Sequence, residues 1–191
     1  ERFHGTTYFR PGTYGYQQHM WYAALDGEAS IFVTHPGSTS EEGDMRPGYW
    51  HGNGVMPALK QQHGLLGGIY VIPDEHPIGY THLYCPECRF DEVIHEENWI
   101  FLRKETGYLA LWCSEKLEAH NGMNFNCEQR AYSKNAAYLC VCGGKKSDVS
   151  FATFKKRAKE TSPSYDKESK TLTAQEFKLS YAACEDVTQF L

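Results

Sequence analysis

Residues 99–114, "WIFLRKETGYLALWCS", set two apolar arms on either side of Glu105, Thr106 and Gly107. The arms are rich in aromatic and branched residues and the link is short and holds a glycine, so the stretch reads as a β-hairpin. Runs of the same kind recur outward along the chain, with turn formers between them. They predict strands at about 17–25 (QQHMWYAAL), 29–35 (ASIFVTH), 66–72 (LGGIYVI), 80–85 (YTHLYC), 136–142 (AAYLCVC), 170–174 and 176–183. "PDEHPIG" at 73–79 and "EKLEAHNGMN" at 115–124 read as connectors. One segment is helical in character. "SDVSFATFKKRAKE" at 147–160 offers Ser147, Asp148 or Ser150 as an N-cap and gathers cationic residues toward its C-terminus, where they suit the helix dipole. Many antiparallel strands with a single late helix predict an all-β antiparallel sandwich, supersandwich-like, with one short C-terminal helix. The 191 residues suit one domain. A start at Glu1 and an apolar finish in "SYAACEDVTQFL" suggest the C-terminal fragment of a larger protein.

Composition narrows the partners. Hydrophobic residues make up 41% of the chain and aromatics 14%, which is globular and leans toward strand formers. The net charge of −5 gives no footprint for a nucleic-acid backbone. Nothing approaches the roughly 18 consecutive apolar residues of a membrane span, and "ERFHGTTYFRPG" lacks the apolar core of a signal peptide. No nucleic acid and no membrane is therefore expected as a partner. The 7 cysteines are an odd number in a chain large enough to fold without disulfides, which favours a reducing compartment. Cys85 and Cys88, with Cys140 and Cys142, offer four thiolates to zinc. The plainer reading is that alternation places Cys140 and Cys142 on one strand face as buried free thiols.

A second stretch bears on function. Residues 35–54, "HPGSTSEEGDMRPGYWHGNG", have neither a strand nor a helix period, and loops of such length inside compact domains are usually functional or disordered. Its aromatic residues argue against disorder. Prolines and glycines fix an irregular path that presents His35, Arg46, Tyr49, Trp50, His51 and Asn53, with Tyr16 and His19 on the preceding strand. Aromatic faces stack on pyranose rings, amides and imidazoles bind hydroxyls, and an arginine grips a carboxylate through two parallel hydrogen bonds. Histidine, tyrosine and arginine are also what β-elimination of a uronic acid requires: neutralisation of the carboxylate, a base for the C5 proton and an acid for the leaving oxygen. The alternative is that Tyr49 and Trp50 anchor the loop and backbone groups satisfy the histidines.

Other chemistries find less in the sequence. His35, His51 and His82 with Asp44 or Asp91 have metal-binding side chains, yet no metal-ligand spacing joins them. Ser38 lies outside a nucleophile elbow, and "GLLGGIY" at 64–70 matches neither a dinucleotide nor a phosphate loop. The carboxylate pairs Glu41/Glu42 and Glu96/Glu97 are adjacent in sequence and read as solvated.

"GYQQHMWYAAL", "IFVTHPG", "RPGYWHGNGVMP" and "NWIFLRKETGYLALW", followed by "FATFKKRAK" and a strand, resemble in their order the C-terminal β-sandwich of heparinase II/III-like polysaccharide lyases and their bacterial relatives. The resemblance spans roughly residues 8–183. It implies an acidic polysaccharide, such as a glycosaminoglycan, as substrate and an N-terminal helical toroid as partner domain, with the cleft between toroid and sandwich. In that family the toroid supplies a tyrosine, a histidine and a group for the carboxylate, and the sandwich adds a histidine. By this likeness His35 and His51 stand as catalytic candidates, with the choice between them open. Tyr16, His19, Arg46, Tyr49, Trp50, Asn53 and His82 are candidates for substrate binding. No cofactor is implied, although some relatives hold a structural zinc through sandwich residues, and His35, His51 and His82 are the places for it here. No toroid is present in these 191 residues, so the fragment alone is expected to bind glycans weakly and to turn them over poorly or not at all. A non-catalytic glycan-binding or scaffolding sandwich is the competing reading. An extracellular substrate suggests export and free thiols suggest a reducing interior, so the location stays open between cytoplasmic and secreted.

Overall fold

The computed structural model describes residues 2–5, 21–25, 29–34, 57–75, 79–122, 125–143 and 149–182. In chain order come β1 (Arg2–Gly5), β2 (Trp21–Ala24), β3 (Ser30–Thr34), β4 (Ala58–Gln62), β5 (Leu65–Val71) and β6 (Thr81–Tyr84). After a 3-10 turn at Glu87–Arg89 follow β7 (Glu92–Glu96), β8 (Trp99–Lys104), β9 (Gly107–Cys113), β10 (Leu117–Gly122), β11 (Phe125–Ala131) and β12 (Asn135–Gly143). The helix α1 (Phe151–Glu160) precedes β13 (Ser164–Asp166), β14 (Thr171–Ala174) and β15 (Phe177–Ser180). These strands form three antiparallel sheets, in the orders β1-β2-β3-β6-β11-β10, β4-β5-β12-β9-β8-β7 and β13-β14-β15. The fold is all-β and sandwich-like with one short helix, as expected from the sequence.

The hairpin at 99–114 pairs from Trp99↔Trp112 to Lys104↔Gly107 around a two-residue turn. Both of its faces are buried, which explains why its arms read as nearly unbroken apolar runs. Ile100, Leu102, Leu109 and Leu111 face the first six-stranded sheet and meet Trp21, Ile31, Val33 and Leu83. Trp99, Phe101, Ala110 and Trp112 face the other way, toward Phe154 and Ala158 of α1 and Leu172, Ala174 and Phe177 of the small sheet. The molecule thus has three layers, with the hairpin's sheet in the middle.

Polar atoms cross the inner core in satisfied pairs. Trp21 Nε1 donates to the Tyr70 hydroxyl at 2.8 Å, and that hydroxyl donates to the Val33 carbonyl at 3.0 Å. Thr81 Oγ1 and the Tyr138 hydroxyl lie 2.6 Å apart. Burial pushes both phenols far above their usual range, so they remain neutral hydrogen-bonding groups. Each joins one six-stranded sheet to the other.

The helix begins later than 147. Ser150 is its N-cap, accepting from the Thr153 amide at 3.1 Å. Toward the middle sheet, Lys155 and Lys159 each reach Glu96 at 2.5 Å, and their hydrogen bonds hold that carboxyl below its usual range. The segment 115–124, read as a connector, contains β10 instead. Its turn-forming composition suits an outermost strand, with only β11 as neighbour among the described residues, where Glu118 and Ala119 are exposed. Short or polar strands β4, β7, β11 and β13 likewise lack the apolar run that the sequence reading requires. No helix among the described residues is long and apolar enough to cross a membrane.

Candidate functional site

The middle sheet is covered on both sides, whereas the first sheet presents its second face away from the inner core. Alternation along β2, β6 and β11 sends Trp21, Ala23, Leu83 and Ala131 inward. Tyr22, Tyr84, Glu128 and Arg130 are therefore on the opposite face. Strand register arranges this face in two rows across the sheet. One holds Tyr22, Tyr84, Glu128 and His120, and the next Arg130 and Glu118, with the backbone of Phe32 paired between Tyr22 and Tyr84 and that of His82 between Thr34 and Arg130.

The centre of these rows is ionic and buried. Arg130 Nε donates to Glu128 Oε1 at 2.7 Å, with the two side chains only 3% and 6% exposed. The guanidinium also lies 4.1 Å above the ring of Tyr80, whose edge meets Tyr132 at 5.6 Å between centroids. Tyr132 is the exposed large hydrophobic residue among the described residues, at 56%. A continuous stack thus runs from a buried carboxylate to a surface aromatic. Desolvation, with a further push from the nearby Cys127 and Cys88 thiols, raises the Tyr84 hydroxyl above its usual range. Tyr84 is accordingly a neutral phenol whose hydroxyl can donate a hydrogen bond.

Most residues that the sequence singles out are outside this frame. Tyr16, His19, His35, Arg46, Tyr49, Trp50, His51 and Asn53 lie outside the described residues, as does Asp44. His82 lies in β6, at the register position between Thr34 and Arg130. The stretch holding six of the candidates lies in sequence between β3, which ends at Thr34, and β4, an edge of the middle sheet among the described residues. The sequence reading missed Tyr80, Tyr84, His120, Glu128 and Arg130. The available signal was "CEQRAY" at 127–132, where opposite charges two residues apart share one face of a strand.

The cysteines divide differently from the four-thiolate reading. Cys140 lies in the inner core with Cys142 packed against it. Cys85 and Cys88 lie at the crossover from β6 to β7, where their neighbour is Cys127. Among the described residues no group of three or more His, Cys, Asp or Glu is placed to hold a metal ion. Asp91, the other proposed carboxylate, approaches Lys104 at 4.0 Å.

A cavity of about 640 Å³ opens on the far side of the molecule, between the β4–β5 turn, α1 and the β14–β15 turn. Phe154 and Phe177 line it together with His63, Arg157, Glu160 and Glu176, a mixed set with no dominant charge. No known protein family, curated protein or solved structure matches the chain.

Proposed function

We propose that this chain is the β-sandwich part of a polysaccharide lyase acting on uronic-acid-containing glycans by β-elimination, with the glycan along the second face of the first sheet. The observation that carries the reading is the placement of tyrosines and a buried Glu128–Arg130 pair on that face, where the backbone of Arg130 is in register with His82 and, through it, with the end of β3. His35, Arg46, Trp50 and His51 follow that strand in the sequence.

The roles follow from charge. Arg130 is already matched by Glu128 and braced on Tyr80, so it supports the face and leaves the substrate carboxylate to another cation, Arg46. His35 or His51 removes the C5 proton; the C5 electron pair forms the C4–C5 double bond as the C4–O bond breaks. A neutral phenol such as Tyr84 protonates the departing oxygen. A helical toroid completes the cleft, as the resemblance implies. The second reading, a non-catalytic glycan-binding sandwich, draws on the same face, since a braced aromatic surface needs no base to bind sugar.

The test is to mix the chain with a panel of uronic-acid polysaccharides and follow both binding and the ultraviolet absorbance of an unsaturated uronate. Binding is expected, and His51→Ala or Trp50→Ala is expected to abolish it with the thermal midpoint unchanged. New absorbance identifies a lyase, and binding without absorbance, by this chain and by a longer form carrying a toroid, identifies a binding module. A chain that binds none of the glycans overturns both readings.

A further inference from the structure

At the crossover from β6 to β7 the thiol of Cys88, in the Glu87–Arg89 turn, approaches that of Cys127 on β11. The Cys85 amide donates to the Cys127 carbonyl at 2.8 Å, which continues the β6–β11 pairing beyond Tyr84↔Glu128. The chain then turns through Glu87–Arg89, closed by Arg89 N to Pro86 O at 2.8 Å and Phe90 N to Glu87 O at 3.0 Å. Glu87 fastens this turn back to β11 by accepting from Gln129 Nε2 at 3.2 Å. Cys88 is therefore held over β11, where its thiol is within hydrogen-bonding reach of the Cys127 thiol.

The backbone of β11 is unusual at this position. Pairing with β10 passes from His120↔Glu128 to Gly122↔Phe125, so Asn126 and Cys127 oppose a single residue in a β-bulge. Cys127 has φ 66°, a left-handed conformation that an L-residue rarely adopts. Bulges re-aim side chains, and here the re-aimed one meets Cys88. The two thiols also differ in access, Cys88 being exposed and Cys127 half-buried.

We infer that Cys88 and Cys127 form a reversible disulfide, with exposed Cys88 as the thiol that meets the oxidant and Cys127 as the resolving thiol. The oxidant is a hydroperoxide. The Cys88 sulfur attacks the outer peroxide oxygen, the O–O bond breaks, an alcohol leaves and a sulfenic acid remains. The Cys127 sulfur then displaces hydroxide from that sulfenic acid, and hydroxide leaves as water with the Cys127 proton. Two thiols and one hydroperoxide become one disulfide, one alcohol and one water, with two electrons passing from sulfur to oxygen. Cys85, Cys113 and Cys140 are buried and stay reduced. The bond ties the β6–β7 crossover to β11, beside Tyr84.

The experiment treats the reduced chain with a small alkyl hydroperoxide, counts free thiols and maps cross-linked peptides without reductant. The expected result is a loss of two thiols per chain at a rate independent of protein concentration, a peptide pair joining Cys88 to Cys127, and full recovery with a dithiol. Cys88→Ser is expected to fold normally and to lose the cross-link. Cys88 stopping at a sulfinic acid, joining a second chain, or leaving the cross-linked thiol count unchanged when replaced by serine would overturn the inference. So would purified protein holding one zinc per chain on these thiols.

Discussion

Glu128 and Arg130 are two residues apart on β11, and that spacing places both on the face away from the inner core. Each neutralises a charge whose desolvation would otherwise be costly. Replacing Arg130 by methionine keeps much of the side-chain volume over Tyr80 but removes the cation that faces the buried carboxylate. We expect a loss of about 3–5 kcal/mol in denaturant unfolding. Replacing both, as Glu128→Leu with Arg130→Met, should recover most of it, because two apolar groups leave no buried charge. A double variant as unstable as the single one would show that Arg130 acts through packing on Tyr80 instead. The residue scale is also where the sequence reading was least complete, since a buried ion pair and two solvated charges are written with the same letters.

At the scale of elements, the helix and the middle sheet show how close fit sets position. Phe154 rests on the backbone at Gly143, where an added Cβ would be 2.3 Å from its ring, and the ring is also stacked on Tyr108. Gly143→Ala therefore has to displace the Phe154 ring, and we expect it to cost about 1–3 kcal/mol by thermal or denaturant unfolding. Ser150→Ala removes one N-cap hydrogen bond and should cost about 1 kcal/mol in the same assay, without moving the helix. The helix was legible because its cap and charge gradient are local signals. The polar strand β10 was not, because an outermost strand needs few apolar residues and its partner β11 is set by pairing across the sheet.

For the whole molecule, the outer layer made by α1 and the small sheet covers the second apolar face of the middle sheet. A variant ending at Gly143 would expose Trp99, Phe101, Trp112 and Leu139, and we expect it to self-associate on size-exclusion chromatography where the full chain stays monodisperse. Monodisperse behaviour of the shortened chain would mean that the inner core suffices. The sequence by itself determined the all-β class, the hairpin at 99–114 and the late helix, because hydrophobic period, turn residues and helix caps act between near neighbours in the chain. Only the tertiary structure decided which sheet is covered on both faces, that Glu128 and Arg130 are buried together, and that Cys127 lies beside Cys88. Those facts depend on pairings across many residues, where strand order and layering, rather than local pattern, bring the side chains together.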